Sequence, residues 1–286
     1  MSALPSAASL PLSTASPAAA STAAATSPRW ARGSLRIVSL VACLLLWHLA
    51  ASQRWNLGVV TFANVPSPAE VLAAGWRLLQ SSKLLAHLAS SLLRIGLGFG
   101  AAFIAGVGFG LLIGRLRWAR HALLPPLEVL RPIPAVAWIP LAILMFPSSE
   151  GSMVFITFTG AVFPILLNTI HGVEAVDPRL VASARSLGTR RWQLFAEVIV
   201  PGAAPSIVTG LAIGMGTCWF CLVTAEMIAG QYGIGYFTWE SYTVQNYPSI
   251  VVGMLLIGAL GMGSSALIQW AGRRLMPWQR PQRETP

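Results

Sequence analysis

Long apolar stretches separated by short polar segments run through most of the chain. A helix needs about 20 apolar residues to cross the hydrocarbon core of a bilayer, and every stretch except the somewhat short first one reaches that length. The pattern predicts an all-α polytopic membrane protein with six transmembrane helices, which cover Leu35–Ala51, Leu88–Ile113, Ala122–Phe146, Met153–Val173, Ala203–Ala229 and Ile250–Trp270.

The segments outside these stretches differ in character. Residues 1–28 are mostly Ala, Ser, Pro and Thr and lack the basic region and apolar core of a signal peptide, which predicts a disordered tail or a start codon placed too early. Ser67 and Glu70 have the spacing of a capping box, and Pro68 fits the first helical position, so an amphipathic helix is expected to about Gln80. The predicted organisation is a disordered cytoplasmic tail (1–34), the first transmembrane helix (35–52), a periplasmic segment (53–86), a domain of five spans (87–271) and a second cytoplasmic tail (272–286).

The distribution of basic residues predicts the orientation in the membrane. If the N-terminus is cytoplasmic, 14 of the 19 basic residues fall in inner segments and 3 in outer ones, while Arg94 and Arg131 lie inside spans. Cytoplasmic loops carry an excess of Lys and Arg in membrane proteins. Both termini are therefore expected on the cytoplasmic side, which an even number of spans requires.

Composition supports hydrocarbon as the main solvent. The chain is 55% hydrophobic and 10% charged, with a mean hydropathy of +0.66, whereas soluble domains carry about 25% charged residues. A net charge of +10 raises the question of nucleic-acid binding. The arginines instead form short clusters between apolar runs, as in cytoplasmic loops, so no nucleic-acid partner is expected.

The sequence lacks the groups of residues that a catalytic or cofactor-binding site would need. None of the four histidines has another His or Cys at ligand spacing, and Cys218 and Cys221 are interpreted as small apolar residues of a span, so no metal site is expected. The single lysine, Lys83, follows Ser82 rather than the glycine of a phosphate-binding loop. We therefore expect no catalytic residues and no cofactor on this chain, and any ATP would be hydrolysed on another polypeptide.

The third and fifth spans carry unusual residues. Five prolines between residues 125 and 140 predict a bent or broken span that faces the protein interior. Glu128 and Arg131 lie three residues apart on one helix face and are expected to pair. Glu226, near the outer end of the fifth span, is a candidate for the transport pathway or for a structural ion pair with Arg131 or Arg94.

Residues 174–201 predict a helix, a bend and a second helix on the cytoplasmic face. Asp177 is a strong N-cap with Pro178 at the first helical position, and Gly188 suits the left-handed residue that ends a helix. Thr189 is expected to cap the second helix, which should stop before Pro201. The small residues 182–184 would allow a close fit into a groove of a partner.

This loop resembles the EAA motif of ABC importer permeases, in which Glu-Ala-Ala is followed by Gly after three residues and by Ile-x-Leu-Pro after nine more. Matching positions are Ala182, Ser183, Ala184, Gly188, Val198, Val200 and Pro201. Ala182 replaces the usual glutamate, and nearby arginines offer charge complementarity instead. Segments beginning at Ser90 and Leu130 look like the conserved permease domain of this family, and the segment beginning at Phe163 is similar to its sulfonate, taurine and nitrate branch. The resemblance covers about residues 88–275.

The resemblance implies a type I ABC importer permease (MetI-like) architecture, with the path at the interface of a dimer, here expected to be a homodimer. It implies a cytoplasmic ATP-binding subunit that carries ATP and Mg, a periplasmic solute-binding protein, and the inner membrane of a bacterial cell. The implied solute is a sulfonate, taurine, nitrate or a similar oxyanion. The residues implied to dock on the ATP-binding subunit are Ala182, Ser183, Ala184, Arg185, Gly188, Arg190, Arg191 and Pro201.

Two other classes of function are alternatives to an ABC importer permease. An ion-coupled secondary transporter or channel could use Glu128, Arg131 and Glu226 as coupling charges. Such proteins commonly show inverted repeats with paired broken helices, and only one span here is broken by proline. A membrane-embedded enzyme would need clustered His, Asp or Glu at membrane depth, and the sequence shows none.

Overall fold

The computed structural model describes residues 29–58 and 61–278. It contains eleven α-helices in these ranges, together with a 3₁₀ turn at Ala135–Trp138 and a π-helical turn at Leu194–Ile199. The helices are α1 Arg29–Ser52, α2 Pro68–Leu79, α3 Ser82–Arg115, α4 Arg117–Leu130, α5 Ile139–Met145, α6 Ser149–Glu174, α7 Pro178–Ser186, α8 Arg191–Gln193, α9 Val200–Ala229, α10 Ile234–Thr243 and α11 Tyr247–Leu275.

The chain forms two compact units, Met1–Leu46 and Trp47–Pro286. In the first unit the described residues are helical and form most of α1, which begins at Arg29 rather than at the expected Leu35. The predicted tail over residues 1–28 lies outside the described residues, as do the last residues of the C-terminal tail. The apolar part of α1, Ile37–Ser52, is shorter than a full span.

Four helical segments in the described residues are long and apolar enough to cross a membrane: α3, α6, the continuous stretch Arg191–Ala229, and α11. The pair formed by α4 and Ala135–Met145 is bent by 83° and has the length and composition of a fifth span if its two parts are counted as one. The expectation of an all-α fold is confirmed, and the described helices bend sharply where the five prolines predicted a bend or break. By length and composition the structure supports four to five spans, one or two fewer than the six predicted.

The break in the third span follows from its prolines. Pro125 and Pro126 are accommodated inside α4, which ends at Leu130. Pro132 has no N–H to continue the helical ladder, and Pro134 is extended, with ψ 134°. The chain then resumes through the 3₁₀ turn into α5, which has proline in its first turn.

The core of the second unit is formed where α3, α6 and α9 pack closely. Cβ atoms added at Gly106 and Gly214 would both lie within 3 Å of the Ile165 side chain, and one at Gly110 would lie within 3 Å of Thr169. Glycines four residues apart therefore let the helix backbones approach, as small residues do between membrane helices. Ala102, Met153, Trp219 and Leu222 fill the space around these contacts.

Outside this core, α2 packs on α11. The buried side chains of Val71, Ala74 and Val252 form their contact. The predicted capping box is present: the Ser67 N–H donates to Glu70 Oε2 at 2.8 Å, and the Glu70 N–H donates to Ser67 Oγ at 3.4 Å. The helix ends at Leu79, one residue before the expected end.

Candidate functional site

Three parts of the structure carry its unusual polar residues: a buried ionic network near one end of α3, a cavity beside the break in the third span, and the loop between α6 and α9. The ionic network is centred on Arg94 and Glu226, which are respectively 2% and 0% exposed. The Arg94 Nη1 donates to Glu226 Oε1 at 2.8 Å and to the Tyr232 carbonyl at 2.7 Å. The remaining guanidinium atoms Nε and Nη2 donate to the carboxylate of Glu150, at 2.7 and 2.5 Å.

Glu226 also binds the connection between α9 and α10. Its Oε1 accepts from Ser91 Oγ at 2.8 Å, and its Oε2 accepts from the Gly235 N–H at 2.9 Å. The Ile234 N–H donates to Ser91 Oγ, and the Gly233 N–H donates to Nδ1 of His87. Three successive backbone N–H groups are thus bound by buried side chains, which fixes the connection against α3.

Gly233 is required by this arrangement. It has φ +127°, and a Cβ there would overlap the Glu226 carboxylate. Of the two partners considered for Glu226, the structure places Arg94 against it and leaves Arg131 apart. Sequence reasoning missed Glu150, His87 and Ser91, because nothing in the local pattern shows that the first turn of α6 and the start of α10 meet the N-terminal half of α3.

The cavity has a volume of about 520 Å³ and lies between the segment after α4, the middle of α6, and α9. Its polar lining residues are Arg131, Thr159, Asn168, His171 and Thr217. Each threonine hydroxyl donates to a backbone carbonyl, and Asn168 Nδ2 donates to the Pro164 carbonyl at 2.8 Å. Acidic residues are absent from the described lining of the cavity.

The predicted pair of Glu128 and Arg131 is wrong. Both side chains are exposed, and neither takes part in an ion pair among the described residues. Arg131 is the C-cap of α4 and keeps helical backbone angles, so the spacing alone does not prevent the pair. An ion pair between exposed side chains contributes little free energy, which does not offset the entropy of holding both side chains in place.

The loop after α6 begins with the expected cap and bend. Asp177 Oδ1 accepts from the Arg179 N–H at 2.8 Å. Gly188 has φ +78°, its N–H donates to the Arg185 carbonyl at 3.0 Å, and the Thr189 N–H donates to the Ala184 carbonyl at 3.2 Å. These two bonds form a Schellman motif, in which glycine ends the helix in a left-handed conformation.

Two expectations for the second half of the loop are wrong. Arg190, rather than Thr189, is the N-cap of the following helix, and its N–H donates to Gln193 Oε1 at 3.2 Å. That helix does not stop before Pro201 but continues through the π-helical turn into α9. The wider π turn changes the hydrogen-bond register just before Pro201, so the missing N–H does not end the helix.

The predicted docking residues occupy both faces of this loop. Ala182 and Ser183 are exposed with Gly188 and the three arginines 185, 190 and 191, whereas Pro201 is half-buried and Ala184 packs inward near Leu194. Sequence reasoning missed the apolar part of the outer surface. Leu180, Leu187 and Trp192 are 59%, 86% and 73% exposed. This group, which we call the loop surface, combines exposed apolar side chains with neighbouring arginines.

Comparison with known proteins identifies the family to which this sequence is similar. The chain matches the family model of the binding-protein-dependent transport system inner membrane component over residues 106–281. It is 32% identical over 234 residues to the nitrate import permease protein NrtB of Synechocystis, which covers 79% of this chain and 82% of that protein. It is 36% identical over 238 residues to the putative aliphatic sulfonates transport permease protein SsuC of Escherichia coli, with 83% and 89% covered.

A solved structure shows the same fold. A crystal structure of an amino acid ABC transporter with histidines has a TM-score of 0.52 and 19% sequence identity, over 66% of this chain and 93% of that chain. The family match and the permease relatives support the predicted ABC permease over the secondary transporter and the membrane enzyme. The chain belongs to the binding-protein-dependent transport system inner membrane component family, and it is a membrane-spanning permease of the ABC importer class.

Proposed function

We propose that this chain is the subunit through which a small oxyanion, such as nitrate or a sulfonate, crosses the inner membrane of a bacterial cell. The proposal draws on the names of its relatives, a nitrate permease and an aliphatic sulfonate permease. ATP and Mg would be bound and hydrolysed on a separate cytoplasmic subunit. A periplasmic solute-binding protein would deliver the oxyanion to the outer side.

The observation that carries the proposal is the loop surface. A leucine that is 86% exposed at the tip of a helical bend leaves apolar area in water unless a partner covers it. The exposed arginines beside it would face acidic groups of that partner. An ATP-binding subunit with an apolar groove and an acidic rim fits this surface, and α7 would be the part that enters the groove.

The helix that follows the loop gives a route for coupling. From Arg191 to Ala229 the chain is helical without interruption, so movement of the docked loop would be passed directly to a membrane span. The π-helical turn at Leu194–Ile199 lies at the junction of the loop with that span. π-helical turns often occur at functional sites, and this one provides a place where the span could adjust its register.

The path for the solute would follow the cavity beside the broken third span. Irregular backbone at membrane depth is tolerated where it lines a wet cavity or is covered by protein. A second copy of this chain would close the open side of the cavity, and the proposed path would then lie at the interface of a homodimer. The excess of basic residues in the inner segments would place both termini in the cytoplasm.

Copurification tests the docking step. The tagged chain, extracted from native membranes in mild detergent, is expected to retain a soluble subunit with a phosphate-binding loop, identified by mass spectrometry. Leu187→Asp should remove most of that subunit, because it places a charge at the centre of the loop surface. Leu79→Asp, which changes a leucine that is 66% exposed at the end of α2, is the matched control and should retain it.

Two results would contradict the proposal. Recovery of the chain without any ATP-binding subunit, even after cross-linking through residues 180–195, would remove the ATP-driven mechanism. Equal loss of the subunit in the Leu187 and Leu79 variants would show that the loop surface is not where it docks.

A further inference from the structure

The cavity beside the broken third span contains an arginine that nothing neutralises among the described residues. Arg131 is exposed to the cavity and has no ion-pair or hydrogen-bond partner for its side chain there. It lies midway along the bent span, which runs from Arg117 to Met145. An unpaired charge at this depth is costly unless it faces water or a bound ion of opposite sign.

The other polar groups of the cavity favour an anion over a cation. The hydroxyl hydrogens of Thr159 and Thr217 are donated to backbone carbonyls, so they are not available to a solute. One N–H of the Asn168 amide remains free after the bond to Pro164, and the imidazole of His171 has no hydrogen bond among the described residues. The free donors are the Arg131 guanidinium and one Asn168 N–H, while the Asn168 amide oxygen and the two threonine oxygens remain acceptors. The one formal charge in the described lining is that of Arg131, and this lining offers a cation no carboxylate.

The guanidinium also suits a planar or tetrahedral oxyanion. It presents five N–H donors in a fixed fork that can bind two oxygens at once, which a lysine ammonium cannot do. The rest of the lining is largely apolar, with Phe163, Ile213 and Phe220. Low polarity around the guanidinium strengthens its attraction for an anion.

We infer that Arg131, with Asn168 and His171, forms an oxyanion-binding site inside the permease itself, at the break of the third span. This inference rests on the proposed function, because it names the place in the path where the transported oxyanion would pause. Its recognition chemistry is a delocalised negative charge on two or more oxygens. Nitrate and alkyl sulfonates both have this feature.

Charge-selective thiol labelling tests the site without requiring transport. Leu167, which lines the cavity and has no side-chain hydrogen bond, is changed to Cys after Cys43, Cys218 and Cys221 are replaced by Ala. The full-length chain in detergent-opened membranes is treated with an anionic or a cationic methanethiosulfonate. Relative to a free thiol, the anionic reagent is expected to be favoured by about tenfold because of the nearby guanidinium.

The variants separate Arg131 from the general positive charge of the protein. Arg131→Met should return the ratio to that of a free thiol, and Arg131→Lys should keep most of the preference. Arg117→Met removes an exposed arginine at the other end of α4, outside the cavity, and should leave the ratio unchanged. Nitrate or methanesulfonate should slow the anionic reagent at least twofold more than chloride at equal ionic strength, except in Arg131→Met.

The results that would overturn the inference are distinct. A ratio that does not change in Arg131→Met would show that the charge is neutralised, for example by Glu128 of a second copy. Equal slowing by nitrate, methanesulfonate and chloride would indicate screening without a site. If labelling does not depend on Arg131 but uptake of the oxyanion is normal, only this site is rejected. If labelling depends on Arg131 but the protein takes up no oxyanion, the proposed function is rejected.

Discussion

Replacing Glu226 by Gln should destabilise the protein much more than replacing Glu150, although both carboxylates bind the same arginine. The Glu226 carboxylate accepts hydrogen bonds from three donors, Ser91, Arg94 and the Gly235 N–H. A glutamine offers only one oxygen, so its NH₂ group must face at least one donor. Glu226 is fully buried, so water cannot replace the lost bond.

The magnitude follows from burial. Removing one partner of a buried ion pair costs about 3–5 kcal/mol, because the other charge remains desolvated. Arg94 keeps Glu150, which lowers the cost, while the unmatched Gly235 N–H adds about 1–3 kcal/mol. A total of about 3–5 kcal/mol corresponds to a fall of roughly 10 °C in melting temperature. Glu150 is 64% exposed, so Glu150→Gln should cost about 1 kcal/mol after screening by solvent.

The assay is thermal unfolding of the detergent-purified chain, followed by the loss of the monodisperse peak in size-exclusion chromatography. Transport by the same variants, scaled to the folded fraction, separates stability from pathway. Equal melting temperatures for Glu226→Gln and Glu150→Gln would refute the reasoning that the buried carboxylate holds the network together. A transport loss in Glu226→Gln that exceeds the loss of folded protein would indicate a role of this residue in the path.

Three further changes have clear expectations. Gly188→Leu should insert normally but reduce solute uptake per ATP hydrolysed by at least tenfold, because leucine disfavours a backbone φ of +78°. Asparagine tolerates that conformation, so Gly188→Asn should retain most of the coupling between ATP hydrolysis and uptake. Gly110→Leu should prevent a stable fold, because its Cβ alone would lie within 3 Å of the Thr169 side chain. The yield of monodisperse protein measures this effect. Gly108→Leu, whose Cβ meets no neighbouring atom within 4 Å, should purify like the parent. Gly233→Ala should lower the melting temperature by several degrees, because its methyl group would overlap the Glu226 carboxylate.

The sequence predicted those features that depend on local chemistry. Apolar length located the spans from α3 onward, and the capping preferences of Asp177 and Gly188 gave the helix and bend of the loop correctly. These features depend on neighbours a few residues away. The amino-acid sequence alone therefore contains the information needed to predict them.

Features that depend on tertiary packing were either not predicted from the sequence or predicted wrongly. Glu226 meets a residue 132 positions earlier, so the choice between Arg94 and Arg131 was decided by how α3 and α9 pack. Glu150 lies in the first turn of α6, and only the tertiary fold brings it to Arg94. Pro201 was expected to end a helix, and the π-helical turn before it, which no local pattern signals, allows the helix to continue.

ATP-driven uptake tests the central claim most directly. The chain is reconstituted into proteoliposomes with its copurifying ATP-binding subunit and the solute-binding protein, and labelled nitrate or alkyl sulfonate is supplied outside. The account predicts accumulation that requires ATP on the side of the loop surface and that is abolished by Leu187→Asp but not by Leu79→Asp. Accumulation without ATP, driven by an ion gradient alone, would contradict it.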